Sequence, residues 1–189
     1  STGEIAADSR LNIKHGKLTM DNRGDYWIFN HTGCLTYITA DSGKIKEFRL
    51  IPQDKLSYID FERYHIVHDS RGIIWISTYG NGLFAYDTAE DKLEHFLANI
   101  NDKSHIASDF LLYVMEDRSG GIWVSSEYSG LSHISFLNEG TSRIYPESPD
   151  LFDRSNTIRM LTKTSDGDIW FGTRRGGLYT IDSDFHSKI

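Results

Sequence analysis

Residues 69–87 read DSRGIIWISTYGNGLFAYD, and the pattern recurs along the whole chain. Residues 21–38 read DNRGDYWIFNHTGCLTYI, residues 117–134 DRSGGIWVSSEYSGLSHI, and residues 164–182 TSDGDIWFGTRRGGLYTID. The only four tryptophans, Trp27, Trp75, Trp123 and Trp170, stand 48, 48 and 47 residues apart. A glycine lies three residues before each (Gly24, Gly72, Gly120, Gly167) and a leucine eight after (Leu35, Leu83, Leu131, Leu178). Seven residues after the Trp comes Gly82, Gly130 or Gly177, with Cys34 in the first copy. A fixed period in this range marks a repeat architecture.

One repeat can be read as four strands. Asp69 opens a turn through its own backbone and Gly72 closes it at positive φ, joining runs 65–68 and 73–78 as a hairpin. The run 73–78, IIWIST, is β-branched and aromatic, too short for a helix, and followed by Gly80 and Gly82. Runs 83–86 and 93–97 complete the set. In the first repeat the strands include 17–20 and 45–50, and Thr164 stands where the other three turns have Asp. Both faces of 73–76 are apolar, which calls for a sheet covered on both sides. Radial stacking of such sheets satisfies this, so the expected fold is all-β: β-propeller blades, one per repeat. Each Trp then packs between neighbouring blades, burying roughly 150–250 Å².

The set Asp-x-x-Gly-x-x-Trp-[Ile/Val/Phe]-x-[Thr/Ser]…Gly-Leu resembles the two-component regulator propeller repeat, over essentially the whole chain. The first copy departs most, with Cys34 for glycine and Asn30 where the others have Thr78, Ser126 and Thr173. The resemblance implies the periplasmic sensor region of a membrane-anchored hybrid two-component protein with histidine-kinase and response-regulator parts. In many gut bacterial members such regions sense products of glycan breakdown. They are much longer than this chain, so the resemblance also implies an incomplete propeller.

The 189 residues are expected to form one propeller segment, 1–189, with repeats at about 15–60, 61–108, 109–154 and 155–189. Residues 1–12 read as the outer strand of a preceding blade or as a tail. The opening STGEIAADSR has no basic region followed by an apolar core, so it does not read as a signal peptide but as a mature start or mid-protein cut. No apolar run approaches the ~20 residues that span a bilayer. With 39% hydrophobic and 25% charged residues the composition is that of a globular protein. A formal net charge of −7 argues against nucleic-acid binding, which needs a basic surface. One cysteine leaves the redox compartment open. Residues 99–109 and 139–156 are crossings between blades, since the period runs through them.

No cofactor or metal site is expected. His65 and His68, three apart on a strand, point to opposite faces. Ser104, His105, Ser108 and Asp109 lie close together, but without a strand-turn-helix nucleophile setting. The turn aspartates Asp21, Asp69 and Asp117 read as turn formers. The sharper signal is variation at equivalent places. The loop between second and third strands carries His31, then Tyr79, then Glu127-Tyr128, then Arg174-Arg175. The crossings supply Asp60-Phe61-Glu62-Arg63-Tyr64, Asp109-Phe110 and Asn156-Thr157-Ile158-Arg159, and in propellers loops and crossings lie on one face. Aromatic platforms with Arg and Glu suit an oligosaccharide, an acidic one first, by stacking and hydrogen bonding. Arg174 and Arg175 could also meet a partner or pair with Glu127. Rival readings are an enzyme similar to the streptogramin lyases and a structural interaction scaffold. An open arc of blades is expected to self-associate or to meet the parent protein's remaining blades.

Overall fold

Each stretch beginning with the Asp-turn signature folds as the second half of a hairpin. The computed structural model describes residues 16–58, 60–136, 140–146, 148–150, 153–182 and 187–188. The expectation for residues 1–12 lies outside the described residues. β1 (Gly16–Met20), β2 (Tyr26–Asn30), β3 (Cys34–Ile38) and β4 (Ile45–Arg49) form one antiparallel sheet, paired in sequence order. So do β5 (Asp60–His68), β6 (Ile73–Tyr79), β7 (Leu83–Asp87) and β8 (Lys92–Phe96). The third sheet is β9 (Leu111–Glu116), β10 (Ile122–Ser126), β11 (Leu131–Ser135) and β12 (Gly140–Ile144). The fourth is β13 (Ile158–Lys163), β14 (Ile169–Thr173), β15 (Leu178–Ile181) and β16 (Ser187–Lys188). Two short 3-10 turns, Gln53–Tyr58 and Arg154–Asn156, are the only helical elements among the described residues. The innermost strands touch in series, β1 on β5, β5 on β9 and β9 on β13, so the sheets are arranged radially as propeller blades.

The apolar cores lie between blades. Trp27, Phe29 and Leu35 of the first blade pack on Ile66, Ile74, Ile76 and Phe84 of the second. Trp75, Leu83 and Ala85 meet Leu111, Val114, Ile122 and Val124 of the third. Trp123 and Leu131 meet Ile158, Leu161, Ile169 and Phe171 of the fourth. Three tryptophans therefore have the expected interblade place. Trp170 is only half-buried. Its neighbours by register, Leu178 (paired with Gly172) and Met160, are about half exposed. Leu18 occupies the register place of Ile66, Val114 and Leu161, yet it too is exposed. The two outer faces of the arc thus carry the same residue types that fill its interior interfaces.

The turn aspartates do more than close turns. Asp69 Oδ1 accepts the Arg71 and Ile73 amides, at 3.0 and 2.8 Å, while Oδ2 accepts the buried Trp75 indole N–H at 2.9 Å. Asp21 and Asp117 hold Trp27 and Trp123 the same way, at 2.6 and 2.8 Å. Each carboxylate also faces a basic side chain: His68 for Asp21, Arg71 for Asp69, His133 for Asp117. Burial pushes these acids up, but the hydrogen bonds outweigh it and hold all three below the ordinary carboxylate value. Thr164 gives the fourth turn its backbone bonds without a carboxylate for Trp170.

The irregular first loop also has a physical account. Gly82 and Gly130 adopt φ of +72° and +62°, and a Cβ there would lie 2.3 and 2.0 Å from the carbonyl oxygens of Phe96 and Ile144. In the first blade that role falls one residue earlier, to Gly33 (φ +79°), where a Cβ would lie 2.7 Å from Ile51 O. Cys34 is therefore free to begin β3, and Asn30 Oδ1 caps the tighter loop through the Thr32 and Cys34 amides.

Candidate functional site

The loops between second and third strands and the blade crossings lie on one face, tied to each other by backbone. The amides of Gly80 and Gly82 donate to Asp109 O, and the Glu127 amide donates to Phe110 O. The Thr157 hydroxyl donates to Glu127 O, and the Arg174 amide to Thr157 O. Loop, crossing, loop, crossing and loop thus form one stitched belt across blades 2, 3 and 4.

Strand bulges aim charge into this belt. β5 starts at Asp60, earlier than the expected 65–68 run, and its register with β6 shifts between Asp60 and Tyr64. β13 shifts between Ile158 and Met160, leaving Arg159 as the extra residue. Such bulges re-aim side chains near a strand end. Arg63 and Arg159 sit in these two bulges, and both reach Glu127. Arg63 Nη1 stands 3.9 Å from Oε2, Arg159 Nη2 3.5 Å from Oε1, and Arg174 Nη1 3.9 Å from Oε1. Glu127's side chain is 4% exposed, whereas the three arginines are 45–47% exposed. Three guanidinium groups from two blades thus surround the buried carboxylate of the blade between them.

Aromatic groups wall one side. Arg63 lies over the Tyr79 ring, 4.6 Å from its centroid, and Phe110 meets that ring edge-on. Burial, Glu127 and the neighbouring Tyr128 raise the Tyr79 pKa, so its hydroxyl remains a donor at neutral pH. Tyr79, Glu127, Tyr128, Arg63 and Arg174 therefore come together. Arg175 is exposed and lies near Asp153, whose carboxyl is held below its ordinary value first by the Ser155 amide and hydroxyl and in smaller part by Arg175. His31 is exposed in the first blade's loop. Tyr64 is placed differently: it is buried between blades 1 and 2, edge-on to Phe29, with its hydroxyl donating to the Lys17 and Trp27 carbonyls. A strand residue beside a bulge faces inward when its neighbour Arg63 faces out. Arg159, from the crossing into the fourth blade, joins them through the bulge in β13.

Other constellations resolve into structure. Ser104 Oγ and Asp102 Oδ2 both approach His105 Nδ1, at 3.3 and 3.0 Å, so these three do not form a serine–histidine–carboxylate relay, which needs opposite ring nitrogens. Asp21, Asp25 and His68 each bring a ligand atom within 4.8 Å of the others, on the turn end of blades 1 and 2. Their carboxylates are already engaged: Asp21 by Trp27 and two amides, Asp25 by the Tyr37 hydroxyl and the Ala40 amide. His68 Nε2 lies 2.9 Å from Asp21 Oδ2, close enough to pair but off the line of a hydrogen bond. Among the described residues no helix is long and apolar enough to cross a membrane.

Fold and belt together define a β-propeller segment with a charged loop face. Within it, residues 154–175, the start of the fourth repeat, match the model described as two component regulator propeller. No curated protein matches the chain. Among solved structures it is similar to the extracellular domain of the putative hybrid two component system BT4673 from B. thetaiotaomicron, with TM-score 0.64 and 18% identity over 90% of this chain and 23% of that one. The corresponding BT3049 domain gives TM-score 0.58 and 17% identity over 94% and 30%. A catalytically inactive H270A virginiamycin B lyase from Staphylococcus aureus, with quinupristin, gives TM-score 0.63 and 18% identity over 92% and 54%. At these identities the likeness is one of fold. The chain spans only 23–30% of the two extracellular domains.

Proposed function

We propose that this chain is a noncatalytic, ligand-sensing propeller segment of a hybrid two-component signalling protein, with an oligosaccharide as its ligand. The observation that carries this reading is the Glu127 belt: one buried carboxylate, three half-exposed arginines and the Tyr79–Tyr128 wall on a face stitched across three blades. A sugar ring needs a flat apolar platform with donors and acceptors at its rim, and this face supplies both. The match of residues 154–175 and the fold shared with sensor domains support the signalling context. In that context the segment lies in the periplasm, the parent protein is anchored in the inner membrane, and a histidine kinase elsewhere in it carries the signal. The half-buried Trp170 with exposed Leu178 and Met160 supports docking of a further blade on the fourth sheet.

A thermal-shift screen of the chain against neutral and acidic oligosaccharides tests the reading. A concentration-dependent rise in melting temperature with at least one glycan class is expected. The virginiamycin lyase fold keeps an enzyme reading in view, and metal analysis of the purified protein separates the two. A stoichiometric divalent ion at the loop face, with no glycan response, favours the lyase-like alternative.

A further inference from the structure

We infer that the belt is built for a saccharide bearing an anionic group, sulfate or carboxylate, held by Arg159 and Arg174, with an adjacent hydroxyl donated to Glu127. The inference rests on the proposed sensing role and names the ligand class for the same site. Its first support is an uneven charge. Four arginines (Arg63, Arg159, Arg174, Arg175) share this face with three carboxylates near them, Glu127, Asp60 and Asp153, a local excess of one positive charge on a chain of net charge −7. Such an excess, where solvent is partly excluded, favours an anion.

The second support is how loosely the arginines hold Glu127. Contacts of 3.5–3.9 Å are longer than charge-assisted hydrogen bonds, which lie near 2.7–2.9 Å. The guanidinium forks are therefore not committed to the carboxylate. Each is nearly half exposed, with planar donors suited to a bidentate oxyanion. The third support is Glu127 itself. Its side chain is 96% buried, and among the described residues Oε2 accepts no hydrogen bond. A buried acceptor left open costs free energy unless something donates to it. A ligand hydroxyl would fill that need, whereas a bare anion would be repelled. The arginines attract charge and Glu127 demands a donor beside it, so the two together select a sugar acid or sugar sulfate over an inorganic ion.

Calorimetric titration of the whole chain with glucose 6-sulfate, glucuronate, glucose and sodium sulfate tests this. Glucose 6-sulfate and glucuronate are expected to bind at least about tenfold more tightly than glucose, and the gap should shrink at high salt. Arg159→Gln and Arg174→Gln, on exposed side chains, should each weaken glucose 6-sulfate by about tenfold or more, as loss of a charge-assisted hydrogen bond does. Each should weaken glucose by a smaller factor than it weakens glucose 6-sulfate. Glu127→Gln should tighten sodium sulfate and narrow the advantage of glucose 6-sulfate over it. Equal binding of glucose and the acidic sugars would overturn the inference while leaving saccharide sensing intact. Sodium sulfate binding as tightly as glucose 6-sulfate would overturn it as an adventitious ion only. Unchanged affinity in both arginine variants would move the site, and silence from all four probes at millimolar concentration would count against the sensing role as well.

Discussion

Replacing Asp69 by Asn isolates the tie between turn and tryptophan. Asp69 sends one carboxylate oxygen to two turn amides and the other to the Trp75 indole N–H, which is buried with its ring. Asn has the same shape but one acceptor oxygen. If that oxygen keeps the turn amides, the NH₂ group confronts the indole N–H, donor against donor. If the amide flips, the turn amides face the NH₂ group instead. Either way a buried donor loses its partner, at about 1–3 kcal/mol. Arg71 also loses its charged partner, and because that side chain is 35% exposed the contribution is at most about 1 kcal/mol. The sum is about 1–4 kcal/mol. With a urea slope of roughly 1–3 kcal/mol/M, this is a midpoint shift on the order of 1 M. Asp69→Ala, which removes both oxygens, should cost more than Asp69→Asn. Thr164→Asp is the converse: it supplies the missing carboxylate six residues before Trp170, and should gain up to about 1 kcal/mol. Urea unfolding followed by tryptophan fluorescence reads all three. A midpoint for Asp69→Asn within about 0.5 kcal/mol of the wild type would refute the anchoring role.

Three further outcomes are expected. His65 is stacked on Tyr113, and burial lowers its pKa from 6.5 to about 4, so the unfolded chain binds the extra proton first. Its neutral-state stabilisation is complete above about pH 6.5 and declines as pH falls towards 4, by at most about 3 kcal/mol. A His65→Phe variant should flatten that window in pH-dependent unfolding, leaving the aspartate-driven loss below about pH 4. Gly130→Ala should destabilise by about 2 kcal/mol or more, as its Cβ meets the Ile144 carbonyl at positive φ. At Gly177 a Cβ meets nothing within 4 Å, and the same change should stay within about 0.5 kcal/mol. Finally, the arc should self-associate through its outer faces, and Trp170→Ser with Leu178→Ser should return it to monomer in sedimentation velocity. A wild type that stays monomeric at high concentration would contradict this.

How much was legible follows from where the repeat constrains the chain. The Trp–Gly–Leu period revealed the blades because each blade must present the same two faces to its neighbours. Trp27, Trp75 and Trp123 accordingly occupy equivalent cores. The loop-face residues Tyr79, Glu127, Tyr128 and Arg174 stood out because they vary where a turn alone would not require it. Arg159 belongs to a crossing by its sequence, but its approach to Glu127 depends on a one-residue bulge in β13 that leaves no mark in the strand's pattern. Tyr64 reads as a crossing residue in the sequence, whereas pairing with Thr78 makes it part of β5 and turns it inward. The aspartate–indole bond was concealed in the same way: a turn former and a Trp six residues apart meet only once the hairpin is folded.

Mapping ligand contacts residue by residue on the isolated chain tests the central claim most directly. Nuclear magnetic resonance of the labelled protein, titrated with the best glycan from the thermal screen, should move the signals of Tyr79, Glu127, Tyr128, Arg159 and Arg174. The Asp21, Asp69 and Asp117 turns on the opposite end should stay fixed, and Arg174→Ala with Arg175→Ala should abolish the response. Shifts confined to the turn end, or an undiminished response in the double variant with its fold intact, would contradict the account.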